Sequence, residues 1–231
     1  MARNLDWPFP GTLLRRQTQV ARVSGAPCGN YALVGWPGWM GALTAVAPGR
    51  FALAVNYVEI AETIGDRIAR IAGQVLEPGM PVPWATRAAL DETETYDEAV
   101  KALCEANLMS PALFTVVGTR RGQACVIERK PDEYAVREAG ARGICVSNHF
   151  VSEEFEDDNV DLEETTSVER LAGARQALRS SKLRTPASAI RTLSRSLFMD
   201  ETTQHTVVAD ASKGTLTVRV PGGRSRTIEI E

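Results

Sequence analysis

Groups able to hold a metal are scarce in this chain: two histidines, His149 and His205, and four cysteines, Cys28, Cys104, Cys125 and Cys145, among 231 residues. The cysteines show no CxxC spacing, so no zinc ligand set assembles, and neither a metal nor a cofactor is expected. Cys125 and Cys145 sit in short apolar runs, where cysteine behaves as a small hydrophobe, so buried free thiols are expected. A basic excess is also missing. With 26 Lys and Arg against 29 Asp and Glu the net charge is -3, which leaves no electrostatic footprint for nucleic acid as a partner. No apolar run approaches the roughly 20 residues that span a bilayer. The start lacks a basic segment followed by an apolar one, so no secretory signal is read and the expected location is cytoplasmic, with export open if the true N-terminus lies upstream. Repeats and low-complexity segments are absent. What remains, 44% hydrophobic and 24% charged residues, suffices for a sizeable core.

Arg3 to Trp7 reads as a structured strand because a frayed terminus has no use for an Arg, an Asp and a Trp together. Pro8, Pro10 and Gly11 break it. Leu13 to Val23 is the next expected strand, and Ser24 to Asn30 a loop. Tyr31 to Val34, Gly41 to Val46 and Phe51 to Tyr57 read as strands, the last two closing a hairpin over Ala47-Pro48-Gly49-Arg50. Ala61 to Val75 spaces Ile64, Ile68, Ile71 and Val75 for one buried helical stripe. Trp84 to Leu90 is a further short helix. Thr95-Tyr96-Asp97-Glu98 is a capping box opening a helix through Ala106, with Val100, Leu103 and Cys104 on its apolar side. Strands are expected at Ala112 to Gly118, Gln123 to Arg129, Tyr134 to Glu138 and Gly143 to Ser147. The acidic stretch Ser152 to Glu164 has no EF-hand spacing and no glycine, so it reads as a solvated loop. Helices follow at Ser167 to Arg179, capped by Ser167, and at Thr185 to Leu197 with Pro186 in the first turn. Thr206 to Asp210 and Gly214 to Val220 form a closing strand pair. Strands in two groups, with helices between and after them, predict an α+β fold of two antiparallel sheets covered by helices.

Several stretches together resemble the acid ceramidase family. They are Ala2-Arg3-Asn4-Leu5-Asp6-Trp7, Gly38 to Thr44 with Ala47 to Leu53 running into Asn56, Tyr96 to Phe114, Ser147-Asn148-His149, and Asp210-Ala211-Ser212-Lys213-Gly214. The resemblance extends from residue 2 to about residue 220. It places the chain among the N-terminal-nucleophile (Ntn) hydrolases related to choloylglycine hydrolase, and implies a single domain over residues 1–231 with an αββα sandwich. The implied reaction is hydrolysis of a linear amide in an N-acyl, lipid-like substrate. An N-terminal cysteine attacks the carbonyl and its own α-amine, with a pKa of about 7.7 to 8.0, serves as base.

By position, the resemblance implies that Arg3 stands beside the nucleophile and favours thiolate, that Asp6 orients the α-amine, and that Asn56 and Asn148 donate to the oxyanion. Arg170 matches the family's distal arginine. Asn148 as a turn cap and Arg170 as a surface helix residue are the plain alternatives. Arg3 and Asp6, three apart, point to opposite faces of a regular strand, so a bulge or twist is needed to bring them to one site. Trp36 and Trp39, with Met40 and Trp7, are candidates for an apolar acyl-chain site, with core packing the expected role of at least two of the four.

The nucleophile of the family precedes the arginine by a strand and a turn, and none of the four cysteines occupies that place. The preferred expectation is a further segment of roughly 12 to 20 residues upstream of Met1 carrying it, so that the chain alone is inactive and a sheet edge is left open to association or homo-oligomers. A catalytically silent binding scaffold and an acyltransferase passing the acyl group to an amine are the other two readings.

Overall fold

The computed structural model describes residues 1–7, 13–76, 78–180 and 183–230. In chain order the strands are β1 (Ala2–Asp6), β2 (Gln19–Val23), β3 (Tyr31–Gly35), β4 (Thr44–Ala47), β5 (Phe51–Asn56), β6 (Ala112–Gly118), β7 (Ala124–Arg129), β8 (Tyr134–Glu138), β9 (Thr203–Asp210), β10 (Thr215–Arg219) and β11 (Arg226–Glu229). The helices are α1 (Leu13–Arg16), α2 (Ile64–Leu76), α3 (Val82–Glu92), α4 (Tyr96–Glu105), α5 (Ser167–Arg179) and α6 (Pro186–Leu193). The strands form two antiparallel sheets, a smaller one in the order β1-β9-β10-β11 and a larger one running β2 to β8 in sequence.

The alternation of side chains along a strand explains the layering. Tyr31 and Leu33 of β3, with Phe51, Leu53 and Val55 of β5, face one side of the larger sheet and pack against Ala89 and Leu90 of α3 and Ala99 and Leu103 of α4. Their neighbours Ala32, Val34 and Ala52 face the other side and meet Val207, Ala209, Leu216 and Val218 of the smaller sheet. Because both faces are covered, β3 is buried along its whole length. On the far side of the smaller sheet α6 lies over β1 and β9. The layers therefore run helices, sheet, sheet, helix, as expected from the two groups of strands.

Local chemistry sets the joints. Gly49 at φ 75° lets the Ala47 to Arg50 turn close with a 3.1 Å bond from the Arg50 amide to the Ala47 carbonyl, a conformation that favours glycine. Thr95 caps α4, its hydroxyl accepting from the Glu98 amide at 3.2 Å while the Glu98 carboxylate accepts from the Thr95 amide.

Several expectations are corrected. Leu13 to Val23 is not one strand: its first half is the short helix α1, held by bonds from the Gln17 amide to the Leu13 and Leu14 carbonyls, in keeping with the helical preference of Leu and Arg. The strand expected from Gly41 starts only at Thr44, because Gly41 lies so close to Pro83 that a Cβ would sit 2.5 Å from it, and the Ala42 amide bonds the Pro83 carbonyl at 2.7 Å. Gly143 to Ser147 joins no sheet beyond a single bridge at Gly143. The second helix after the acidic stretch ends at Leu193 rather than Leu197. Thr166 occupies the N-cap position that the sequence gives to Ser167. The largest correction concerns α2, whose apolar stripe is exposed: Ile64 by 81%, Ile68 by 62%, Ile71 by 49% and Val75 by 77%. Periodicity sorts side chains onto one face, but does not decide whether that face is covered. Cys145 is only partly buried, as is Cys28, and all four cysteines are free. The break expected at Pro8, Pro10 and Gly11 lies outside the described residues. Among the described residues no helix is long and apolar enough to cross a membrane.

Candidate active site

Arg3 leaves β1 and crosses from the smaller sheet to the larger. Its Nη1 donates to the Leu43 carbonyl at 2.8 Å, to Thr44 Oγ1 at 3.2 Å and to the Val55 carbonyl at 2.9 Å. One guanidinium thus ties β1 to the start of β4 and the end of β5. Burial lowers its pKa to about 10, with the Asp6 charge opposing, so it stays charged at neutral pH.

Asp6 ends β1 at a break in register: Leu5 pairs with His205 but Asp6 pairs with Thr203. The extra residue, Gln204, is on β9. Such a bulge bends the strand that carries it and increases the local twist of the pair, and it sets Asp6 opposite Thr203. Asp6 Oδ1 accepts from the Thr203 hydroxyl at 2.6 Å, and Oδ2 lies 4.0 Å from Arg170 Nη1. Burial raises the Asp6 pKa above the usual range, opposed by the Thr203 hydrogen bond and by Arg170 and Arg3.

At the end of β5, Asn56 Nδ2 donates to the Ser147 carbonyl at 3.1 Å. One residue on in each segment the relation reverses, and Asn148 Nδ2 donates to the Tyr57 carbonyl at 2.6 Å. This reciprocal clasp explains why Gly143 to Ser147 does not pair as a strand: its carbonyl partner is a side chain. A carboxamide carries two N–H donors, so each asparagine retains one beyond the clasp. Arg170, one turn into α5, donates from Nη1 to Asn148 Oδ1 at 3.1 Å and from Nε to Thr166 Oγ1 at 3.1 Å. Arg3, Asp6, Asn56, Asn148 and Arg170, five residues from four separate parts of the chain, therefore meet in one region bridging the two sheets.

Three further residues escape the sequence reading. Ser167 Oγ accepts the Asn148 amide at 2.8 Å and shares a 2.7 Å hydrogen bond with His149 Nδ1. Burial lowers the His149 pKa, and the arginines Arg137, Arg175 and Arg170 add to it against Glu128. Glu128 of β7 is fully buried and accepts from the Val151 amide at 3.0 Å, from the Ser152 amide at 3.0 Å and from Arg137 Nε at 2.5 Å. It fixes the loop that carries Asn148. A carboxylate inside the apolar run Val126-Ile127-Glu128 is itself a signal, since such groups are buried only when partnered.

Trp7, Trp36 and Trp39 form a triangle of edge-to-face rings with centroids 5.6 Å, 5.7 Å and 5.9 Å apart. All three pack onto the main core, so core packing is a shared role. Trp36 also lies 6.2 Å from the His205 ring. Among the described residues the Nε1 groups of Trp36 and Trp39 are buried without a hydrogen-bond partner.

No thiol joins this cluster among the described interactions. Burial raises Cys104 and Cys125 to about 11, which leaves them poor nucleophiles. Cys145 is raised by burial as well, with Arg175 and Arg137 opposing.

A family model described as acyl-coenzyme A:6-aminopenicillanic acid acyl-transferase matches residues 60–231. The chain belongs to that family. It is an acid ceramidase-like member of the Ntn group related to choloylglycine hydrolase. Acid ceramidase of Mus musculus is 31% identical over 104 residues, 42% of this chain and 24% of that protein. N-acylethanolamine-hydrolyzing acid amidase of Cavia porcellus is 30% identical over 129 residues, 55% of this chain and 34% of that protein. The matches thus span about a quarter to about a third of these relatives' length. Among solved structures, the Caenorhabditis elegans N-acylethanolamine-hydrolyzing acid amidase ortholog superposes with a TM-score of 0.68 at 22% identity, covering 96% of this chain and 87% of that one. A conjugated bile acid hydrolase variant from Clostridium perfringens gives 0.56 at 11% identity, covering 98% and 87%. The fold is that of the Ntn hydrolases.

Proposed function

We propose that this chain is the scaffold of an Ntn cysteine amidase that cleaves the C–N bond of linear N-acyl amides through a thioester. The observation that carries the reading is the convergence of Arg3, Asp6, Asn56, Asn148 and Arg170 in one hydrogen-bonded region. In it Arg3 supplies the fixed charge beside a thiolate, Asp6 orients the α-amine, and the free N–H of each asparagine faces the developing oxyanion. The nucleophile is an N-terminal cysteine on a strand preceding Met1, and β1, an edge strand of the smaller sheet, offers its open side to that strand. Trp7, Trp36 and Trp39 give the acyl chain an apolar wall. Four free thiols suit the cytoplasm, a reducing compartment.

The test is the N-terminal peptide of the native protein by mass spectrometry, followed by assay of that form on an N-acyl amide. A start at a cysteine upstream of Met1, with turnover lost on Cys→Ala, is the expected result. Full activity of the purified 231-residue chain would falsify the cysteine mechanism. The matching family's description favours a second reading, acyl transfer to an amine. Added amine separates the two: new amide with little free acid means transfer.

A further inference from the structure

A second concentration of charge lies beyond the candidate active site, at the far end of α5. There a cleft of about 540 Å³ opens between α5, the end of β8 and the turn that follows, lined by Arg137, Arg142, Arg175 and Arg179 together with Glu138 and Cys145. Four guanidinium groups gather around one exposed carboxylate in a chain whose net charge is -3.

Their surroundings do not account for them. Arg175 and Arg179 are four residues apart on α5 and share a face, an arrangement of like charges that costs about 0.2 to 0.5 kcal/mol. The helix dipole explains Arg179 in the last turn, but falls off before Arg175. Among the described residues, Arg142, Arg175 and Arg179 form no ion pair and no hydrogen bond. Arg137 is held by Glu128 through Nε at 2.5 Å, yet its Nη2 is buried with no partner. A buried donor left so costs about 1 to 3 kcal/mol. The wall opposite α5 is also built. Gly143 adopts φ 111° and its amide closes the turn on the Gly140 carbonyl at 2.9 Å, holding Arg142 between them. Leu178 of α5 packs against Gly143, about 3.5 Å from where a Cβ would stand.

We propose that this cleft binds a phosphate-bearing anion. Several forked guanidiniums suit a tetrahedral dianion with three or more free oxygens, whereas a lone carboxylate occupies one fork. The volume exceeds a single phosphate and fits a diphosphate, or a phosphate with its attached group. The phosphate belongs either to a soluble phosphoanhydride or to a phospholipid headgroup. The site lies close to the candidate active centre: α5 carries Ser167 and Arg170 at one end and Arg175 and Arg179 at the other, about 13 Å apart at 1.5 Å per residue.

Inorganic pyrophosphate is the probe, and Cys145 the reporter, in the full chain carrying Cys28→Ala so that the remaining thiols, Cys104 and Cys125, are buried. Saturating pyrophosphate is expected to slow Cys145 alkylation about tenfold or more, with a midpoint equal to the calorimetric Kd. Arg175→Gln with Arg179→Gln is expected to weaken binding about tenfold or more. The exposed pair Arg120→Gln with Arg121→Gln, an equal charge change elsewhere, should alter it less than about twofold. Circular dichroism and Tm confirm that both variants are folded. Vesicles of phosphatidic acid in phosphatidylcholine identify the source. Sedimentation with them, competed by pyrophosphate and lost in the Arg175/Arg179 variant, assigns a lipid headgroup; pyrophosphate binding without sedimentation assigns a soluble anion. Absence of protection and of heat at millimolar pyrophosphate overturns the site, and so does equal weakening by the two arginine pairs. None of these readouts depends on amidase activity.

Discussion

Asn148 is held from three directions, by Tyr57 through its Nδ2, by Arg170 through its Oδ1 and by Ser167 through its backbone amide. Such a side chain arrives at a reaction already oriented, and the loss of one pre-set oxyanion donor costs about 10² to 10³ in kcat. Asn148→Ala in the active form should show that drop, read by steady-state kinetics, with Tm little changed because the residue is only partly buried. His205 makes a residue-scale prediction about pH. Burial, with Arg3 adding to it, pushes its pKa down to about 3, against about 6.5 unfolded. The unfolded chain therefore takes up a proton that the native one refuses, so this contribution is complete above pH about 6.5 and is lost as pH falls. Between pH about 6.5 and 4.5 the loss reaches about 2 to 3 kcal/mol. Asp6, raised by burial, works in the opposite direction over the carboxylate range. Urea titrations across that window should find the slope much reduced in His205→Gln; a slope equal to wild type assigns the acid sensitivity elsewhere. At this scale the sequence displays Arg3, Asp6, Asn56, Asn148 and Arg170 only through a family pattern. Ser167 and Glu128 act through hydrogen bonds to distant backbone amides and to the side chains of His149 and Arg137, which leave no periodic trace.

Among the elements, those whose order is local are the ones legible in the sequence. The Thr95 capping box and the Ala47 to Arg50 hairpin depend on residues within a few positions of one another, and both form as read. Gly143 to Ser147 fails because its partner is distant, the Ser147 carbonyl taking Asn56, while Leu13 to Val23 divides where the locally bonded α1 also docks Arg15 on the Thr203 carbonyl at 2.7 Å. α2 and α4 make the contrast measurable. Both are amphipathic, yet Leu103 of α4 is fully buried while Ile68 of α2 is 62% exposed. Leu103→Ala should cost about 2 to 5 kcal/mol, and Ile68→Asn no more than about 0.5 kcal/mol, both by chemical denaturation. A large loss at Ile68 would show that its face is covered in solution.

For the whole molecule, the decisive question is what keeps two sheets in register when the larger sheet's side of their interface is built mainly from alanine and valine. From the larger sheet Ala32, Val34 and Ala52 meet Val207, Ala209, Leu216 and Val218 of the smaller one, and the alanines and valines slide past a neighbour more readily than interlocked large side chains. Directional ties are few: Arg22 of β2 donates to the Glu229 carbonyl of β11 at 2.8 Å, the Gly49 amide to the Ala211 carbonyl at 2.9 Å, and Arg3 to three acceptors, the Leu43 carbonyl, Thr44 Oγ1 and the Val55 carbonyl, all in the opposite sheet or its approach. Removing the guanidinium leaves the Leu43 carbonyl its bond from the Val55 amide at 3.1 Å but takes the Arg3 donor from Thr44 Oγ1 and the Val55 carbonyl in a buried setting, at about 1 to 3 kcal/mol for each that finds no other partner. The offsetting gain is the desolvation no longer borne by a charge whose pKa burial holds near 10. Arg3→Met, similar in length and apolar, should therefore lose about 2 to 4 kcal/mol, with the m-value unchanged if the denatured state is unaffected. Arg3→Lys keeps the charge but replaces the planar fork by a compact ammonium, so it should recover part of the loss and not all. If Arg3→Met is as stable as wild type, packing and the Arg22 and Gly49 bonds suffice to register the sheets, and the conformation of Arg3 then serves only the chemistry proposed for it.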